Sequence, residues 1–144
     1  MMQISKEIII NAPIKEVWGV FSKLEEWPEL CNNIVKTYWN TKEKWTLESS
    51  FTQIVKGITP LKIISKTKFI EIVPYKKVTW TGTRSTIQGV HTFKFEKINK
   101  KTKVTNIEYF KGPLAPLIFP FIEGKFEIYF ERFLNGLKTK AEKQ

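Results

Sequence analysis

Residues 104–142 read VTNIEYFKGPLAPLIFPFIEGKFEIYFERFLNGLKTKAE, and the hydrophobic period changes within them. Val104, Asn106, Glu108 and Phe110 share one side of an alternating run, with Thr105, Ile107 and Tyr109 on the other. That is the period of a strand. Gly112 and Pro113 close it. From Pro116 to about Glu142 the period becomes helical. Phe119, Ile122, Phe126, Tyr129, Phe130, Phe133 and Leu137 form one apolar stripe, and Lys125, Glu127, Glu131, Arg132 and Lys138 lie largely off it. Pro120 is expected to bend or fray the first turn, because proline has no N–H to give to the helix.

Upstream, the strand period continues. Ile87, Gly89, His91, Phe93 and Phe95 alternate with Gln88, Val90, Thr92, Lys94 and Glu96, and Asn99 to Thr102 makes a tight polar turn. Val78, Trp80 and Gly82 share a face. In residues 61–73, Leu61, Ile63, Ser65, Thr67 and Phe69 oppose Lys62, Lys66 and Lys68. Ile70 and Ile72 break that register, so a bulge near Phe69 is expected. Residues 45–56 also alternate, with Leu47, Ser49, Phe51 and Gln53 on one face, and Val35, Thr37 and Trp39 alternate before them. Nearest the start, residues 4–10 form a β-rich run. Pro13 opens a helix carrying Val17, Trp18, Phe21 and Leu24, and Trp27-Pro28-Glu29 opens a shorter one ending near Cys31. With no repeat and no linker, residues 1–144 read as one domain. The fold class is α+β: a curved antiparallel sheet of about seven strands, with the long C-terminal helix across its concave face and two short N-terminal helices closing one end.

Composition narrows the chemistry. One cysteine, Cys31, excludes an intramolecular disulfide and a thiolate zinc site, and one histidine, His91, excludes histidine-rich metal sites. No phosphate-binding glycine loop, nucleophile elbow or dinucleotide fingerprint occurs, so no metal or cofactor is expected. Cys31 reads as a small buried residue of the second helix. Ile8 to Ile10 is too short for a signal-peptide core, and no run approaches a membrane span, so the chain reads as cytoplasmic. The net charge of +10 comes from lysines spread along the chain, with arginine only at 84 and 132. A reader of nucleic acid clusters its charge and uses arginine on base edges, so nucleic acid is disfavoured. Weak contact with an anionic membrane through the lysine-rich surface remains open. Tyr38, Trp39 and Trp45 lie among lysines and could stack on single strands, but are expected to cap the sheet edge or a cavity mouth.

The inward faces bring aromatic and polar residues together. The expected ligand-contacting set is Phe51, Trp80, His91, Phe93, Phe95, Asn106, Glu108 and Phe110 from the sheet, with Phe126, Tyr129 and Phe130 from the helix. For any one ring taken alone, packed core is the safer reading. Ser49, Gln53, Ser65 and Thr67 fall on the same inward face, where a solid apolar core would leave them unpaired. A cavity with sparse polar groups would satisfy them. If Ile98 faces Lys103 across the turn, Phe93 faces Glu108 and His91 is its diagonal neighbour, about 7–8 Å away. A histidine beside a carboxylate can act as general acid or base. The alternative is that Glu108 merely holds His91 or pairs with a lysine or tyrosine.

Several stretches carry a family likeness. Ile10-Asn11-Ala12-Pro13 with Glu16-Val17-Trp18 and Phe21, Trp27-Pro28-Glu29, Val78-Thr79-Trp80-Thr81-Gly82, Gly89-Val90-His91-Thr92-Phe93-Lys94-Phe95, Glu108 to Leu114, and Phe130-Glu131 with Asn135-Gly136-Leu137-Lys138 occur in that order. Together they resemble the SRPBCC or helix-grip superfamily, which includes START domains and the birch pollen allergens, and within it the polyketide cyclase/dehydrase and lipid transport branch. The resemblance implies a cavity between sheet and C-terminal helix that binds or transports a hydrophobic small molecule: a lipid, polyketide or aromatic metabolite. An enzyme of cyclase or dehydratase type, using His91 and Glu108, is the second reading. A binder of polyanions is the third. One fold hosting many functions is the expected situation, so the site must decide.

Overall fold

The computed structural model describes residues 2–82 and 86–143. Strand β1 (Gln3–Ile10) leads into helix α1 (Ile14–Phe21), a 3₁₀ turn (Leu24–Glu26) and helix α2 (Trp27–Leu30). Strands β2 (Ile34–Trp39), β3 (Phe51–Val55), β4 (Ile63–Val73), β5 (Lys77–Gly82), β6 (Gln88–Ile98) and β7 (Lys101–Lys111) follow, and helix α3 (Ala115–Ala141) ends the chain. The strands form one sheet in the order β1-β7-β6-β5-β4-β3-β2, and every neighbouring pair is antiparallel. This is the helix-grip arrangement. The helical segment between β1 and β2 carries the chain from one edge of the sheet to the other.

The buried stripe of α3 includes Phe119, Ile122, Tyr129, Phe130, Phe133 and Leu137. Pro120 lies inside the helix, which continues through it. Lys6 on β1 bonds Glu131 at 3.0 Å and Glu127 at 3.5 Å, and the Asn11 N–H donates to Glu142 Oε2 at 2.7 Å. These exposed contacts set position more than stability. Gly136 brings α3 against the end of α2: a β-carbon there would stand 1.9 Å from the Leu30 carbonyl oxygen.

Aromatic rings fill the end of the concave face that the N-terminal helices close. Phe21, Trp27, Phe93 and Phe133 pack with ring centres 4.8 to 6.3 Å apart. The Trp27 indole N–H, which needs a partner when buried, donates to the Phe21 carbonyl at 2.7 Å.

Several local expectations are corrected. Residues 45–50 are not strand: β3 starts at Phe51, and Leu47 is 57% exposed. The Thr46 N–H donates to Ser49 Oγ, and Ser49 Oγ–H donates to the Thr46 carbonyl, which gives the backbone a local alternative to the ladder. Ser49 therefore serves its own loop and not the inward face of the sheet. Trp45 has φ 57°, and its indole N–H reaches the Ser22 carbonyl at 2.9 Å. Trp39 and Trp45 join the aromatic cluster, while Tyr38 stays half-exposed with Lys36 Nζ 5.2 Å from its ring centre.

The β6–β7 turn is shorter than the register drawn from sequence. Ile98 faces Lys101, so Asn99 and Lys100 alone form the turn, and Asn99 has φ 56°. Two-residue hairpins favour such positive-φ residues, because their twist matches that of the strands. The consequence is that His91 faces Glu108 directly and Phe93 faces Asn106. The bulge in β4 falls where expected, between Phe69 and Glu71.

Candidate functional site

Beyond the aromatic cluster, sheet and α3 touch through single pairs such as Phe110 with Phe126 and Gln53 with Tyr129, and two adjoining spaces lie between them. The inner one, about 90 Å³, is lined by Gln53, Thr67, Trp80, Gln88, His91, Tyr129 and others. The outer one, about 360 Å³, is lined mainly by apolar groups: Ile58 and Leu61 from the β3–β4 connection, Ile87 before β6, Phe110 on β7, and Ile118 and Ile122 on α3. Ile63, Ser65, Ile87, Gly89, Glu108 and Phe126 border both. Glu108 therefore sits at the junction.

Its placement is local in origin. The carboxylate leans over Gly89, where a β-carbon would stand 1.9 Å from Glu108 Oε2. Any side chain at position 89 would take that space. The other carboxyl oxygen lies 3.6 Å from His91 Nδ1. His91 Nε2–H donates to Asn106 Oδ1 at 2.5 Å. The imidazole is stacked on Phe130 (ring centres 5.0 Å apart, 22° between planes) and on Phe93 (5.2 Å, 22°). With Nε2 committed to Asn106, Nδ1 turns its lone pair toward Glu108. The Gln53 side-chain N–H donates to the Tyr129 hydroxyl at 2.7 Å.

Burial governs the charge state. It pushes the Glu108 carboxyl up to about 8 and the His91 imidazole down to about 4, the latter opposed by the bond to Asn106. It also raises the Tyr129 phenol, with the neighbouring Cys31 and Glu108 adding to the effect. Near neutrality a protonated carboxyl faces a neutral imidazole. One can donate a proton and the other can accept it.

This pair predicts a stability profile. The folded state holds the Glu108 proton more tightly than the ordinary value of 4.5 allows, so that contribution is complete below pH 4.5 and is lost as pH rises through 8. His91 has the opposite sign. Its folded value is depressed from 6.5, so stability rises with pH up to 6.5 and is then level. The two cancel between pH 4.5 and 6.5. From 6.5 to 8 Glu108 acts alone, and stability should fall by up to about 1.4 kcal/mol per pH unit. Urea midpoints at pH 6.5 and 8 test this: the wild type should drop and Glu108→Gln should not. An equal drop in both would refute the assignment.

The residues expected to contact a ligand separate into groups. Trp80, His91, Glu108, Phe126 and Tyr129 line the inner space, and Glu108, Phe110 and Phe126 the outer. Phe93 and Asn106 border a void of only about 10 Å³ behind His91. Phe51, Phe95 and Phe130 line none of these spaces. Phe95 is wedged against Trp18 and Phe21, Phe51 against Trp27, Phe69 and Trp80, and Phe130 backs the imidazole. Alternation assigns a face but not a depth along it, and these rings lie toward the closed end. Ile118, Ile122 and Phe126 stand four apart on α3, a signal legible in the sequence. Ile58, in an irregular connection, carries no such signal. Strand alternation assigns Gln88 to the opposite face. At the first residue of β6 its side-chain N–H bonds the Gly82 carbonyl at 3.0 Å, and it borders the inner space.

Among the described residues no three His, Cys, Asp or Glu side chains gather as a metal would require, and no helix is long and apolar enough to cross a membrane. Cys31 is buried, with burial raising its thiol.

Known proteins give the same architecture. The Streptomyces aromatase/cyclase Zhui superposes with a TM-score of 0.82 at 11% identity, over 98% of this chain and 93% of its own. A Thermus thermophilus protein gives 0.80 at 13% identity, over 96% of both chains. A START superfamily protein from Mycobacterium smegmatis gives 0.76 at 12%, over 96% of this chain and 97% of its own. At such identities the likeness is one of fold. No curated protein sequence matches. The family model described as polyketide cyclase/dehydrase and lipid transport matches residues 1–142, and the chain belongs to that family.

Proposed function

We propose that this protein binds or carries a hydrophobic small molecule (a lipid, polyketide or aromatic metabolite) between the sheet and α3. The observation that carries the reading is the outer space of about 360 Å³, walled by Ile58, Ile63, Ile118, Ile122 and Phe126. It is a cleft open to solvent past Leu61, which is 79% exposed. Spaces of this size, mostly apolar with a few placed polar groups, are typical of small-molecule sites. Family membership favours the same reading.

Protein taken directly from cells, examined by native mass spectrometry, is expected to carry a hydrophobic adduct released on denaturation. The double variant Ile118→Trp/Ile122→Trp, which adds two large rings to the wall of the outer space, should cut the adduct severalfold while the protein stays folded. An undiminished adduct in that double variant, or none in the wild type together with no binding of apolar fluorophores, would sink the proposal.

A second reading has its own observation. The protonated Glu108 and the neutral His91 face the same space, an arrangement suited to polarising a ketone and removing a proton beside it. A cyclase or dehydratase should lose turnover in His91→Ala while keeping affinity. If ligand affinity falls and no ketone is turned over by the wild type, binding stands alone.

A further inference from the structure

We propose that Glu108 makes the site selective for uncharged ligands that enter head first with a hydrogen-bond-accepting group such as a ketone, and that it excludes carboxylates and other anions. This rests on the reading of the cavity as a ligand site.

The two spaces differ in what they offer. The outer one has apolar walls and can take a hydrocarbon or ring system. The inner one ends on Gln53, Thr67, Gln88, His91 and Tyr129. Many of its donors are already committed: Thr67 Oγ1–H to the Phe51 carbonyl, Gln53 to the Tyr129 hydroxyl, Gln88 to the Gly82 carbonyl and His91 Nε2–H to Asn106. Glu108 is the group between the two spaces, and in its protonated form it offers a donor to either. The Tyr129 hydroxyl accepts from Gln53 and keeps its own O–H as a second donor, so a head that accepts hydrogen bonds is satisfied there while its apolar body extends into the outer space.

Charge excludes the alternative. Among the described residues no lysine or arginine lines the inner space. Lys62 lines the outer one from the β3–β4 connection and is itself exposed. A carboxylate head would lose its water beside a carboxylic acid with no counter-charge, and such burial is strongly unfavourable. The groups facing Glu108 from the surrounding elements are His91 on β6, Tyr129 on α3 and the apolar Ile4 paired with it on β1. None supplies a positive charge at neutral pH, since burial holds His91 in its neutral form. Once Glu108 ionises it can only accept, so a ketone ligand loses that donor.

A matched pair of fluorophores tests this: the neutral ketone 2-acetyl-6-dimethylaminonaphthalene and the anionic 6-dimethylamino-2-naphthoate, titrated from pH 6 to 9.5. At pH 7 the ketone should bind at least about tenfold more tightly than the carboxylate. Its affinity should fall above about pH 8, approaching tenfold per pH unit. Glu108→Gln keeps a donor at every pH, so it should bind the ketone with no fall above pH 8. Equal affinity for the two probes in the wild type at pH 7 needs no variant and would overturn the inference while leaving the ligand site in place. A pH-dependent fall that persists in Glu108→Gln would do the same. Binding of neither probe, together with no co-purifying adduct, would overturn the ligand site itself.

Discussion

Phe133→Ala should lower folding stability by roughly 3–5 kcal/mol, the usual loss for a fully packed ring, and Phe126→Ala by less than half of that. The two residues share one stripe of α3, two turns apart, yet their surroundings differ. Phe133 is 2% exposed and meets Phe21, Trp27 and Phe93, with ring centres 6.3, 5.3 and 5.3 Å away. Truncating it leaves a hole that close-packed neighbours cannot close. Phe126 meets Phe110, Tyr129 and Phe130, but borders both spaces of the site. One side of it has few contacts to lose. Urea denaturation of both variants at pH 6 measures the difference. Equal large losses would mean that α3 and the sheet are packed solid at Phe126 and that no cavity exists there in solution.

Gly136→Ala should destabilise by roughly 2 kcal/mol or more, whereas Gly124→Ala should stabilise by up to about 1 kcal/mol. Both lie within α3, where alanine gains about 1 kcal/mol over glycine from backbone entropy. At Gly124 a β-carbon meets nothing within 4 Å, so that gain is kept. At Gly136 it would stand 1.9, 2.6 and 2.8 Å from backbone atoms of Leu30. No rotamer change relieves a clash with backbone, so α2 must move as a unit. A penalty near the top of the overpacking range, about 3 kcal/mol, exceeds the helix gain. Thermal melts of the two single variants give the sign directly. A Gly136→Ala protein as stable as the wild type would show that α2 is loosely held.

The change of period near Gly112 placed the end of the sheet and the start of α3 to within a residue, because burial on one face forces both repeats. The pairing of β6 with β7 was readable as well, but its register was not. A turn of two residues and one of four leave the same alternation, and only the positive φ at Asn99 separates them. That difference turned His91 from a diagonal neighbour of Glu108 into a facing one. Residues 45–50 misled for a related reason. They alternate as a strand does, but the bonds between Thr46 and Ser49 hold them in a loop. At the site, polarity and face were legible for His91, Glu108, Trp80 and Tyr129. Depth was not, since Phe95 and Phe110 carry the same inward pattern at opposite ends of the concave face.

All five tryptophans of the chain belong to one chain of contacts. Trp18, Trp27 and Trp39 each lie against Trp45, with ring centres 5.2 to 6.4 Å apart, and Trp80 lies 5.9 Å from Trp27. Indoles held this close exchange excitation, so light absorbed by any of them migrates through the group before emission. The intrinsic fluorescence is a property of the cluster and not of five independent reporters. Because Trp80 also walls the inner space, a quencher seated there would drain emission from the whole set. The fixed mutual tilt of the rings should give an intense near-ultraviolet circular dichroism signal. The folded protein thus carries a built-in optical gauge of what occupies its interior, with no label attached.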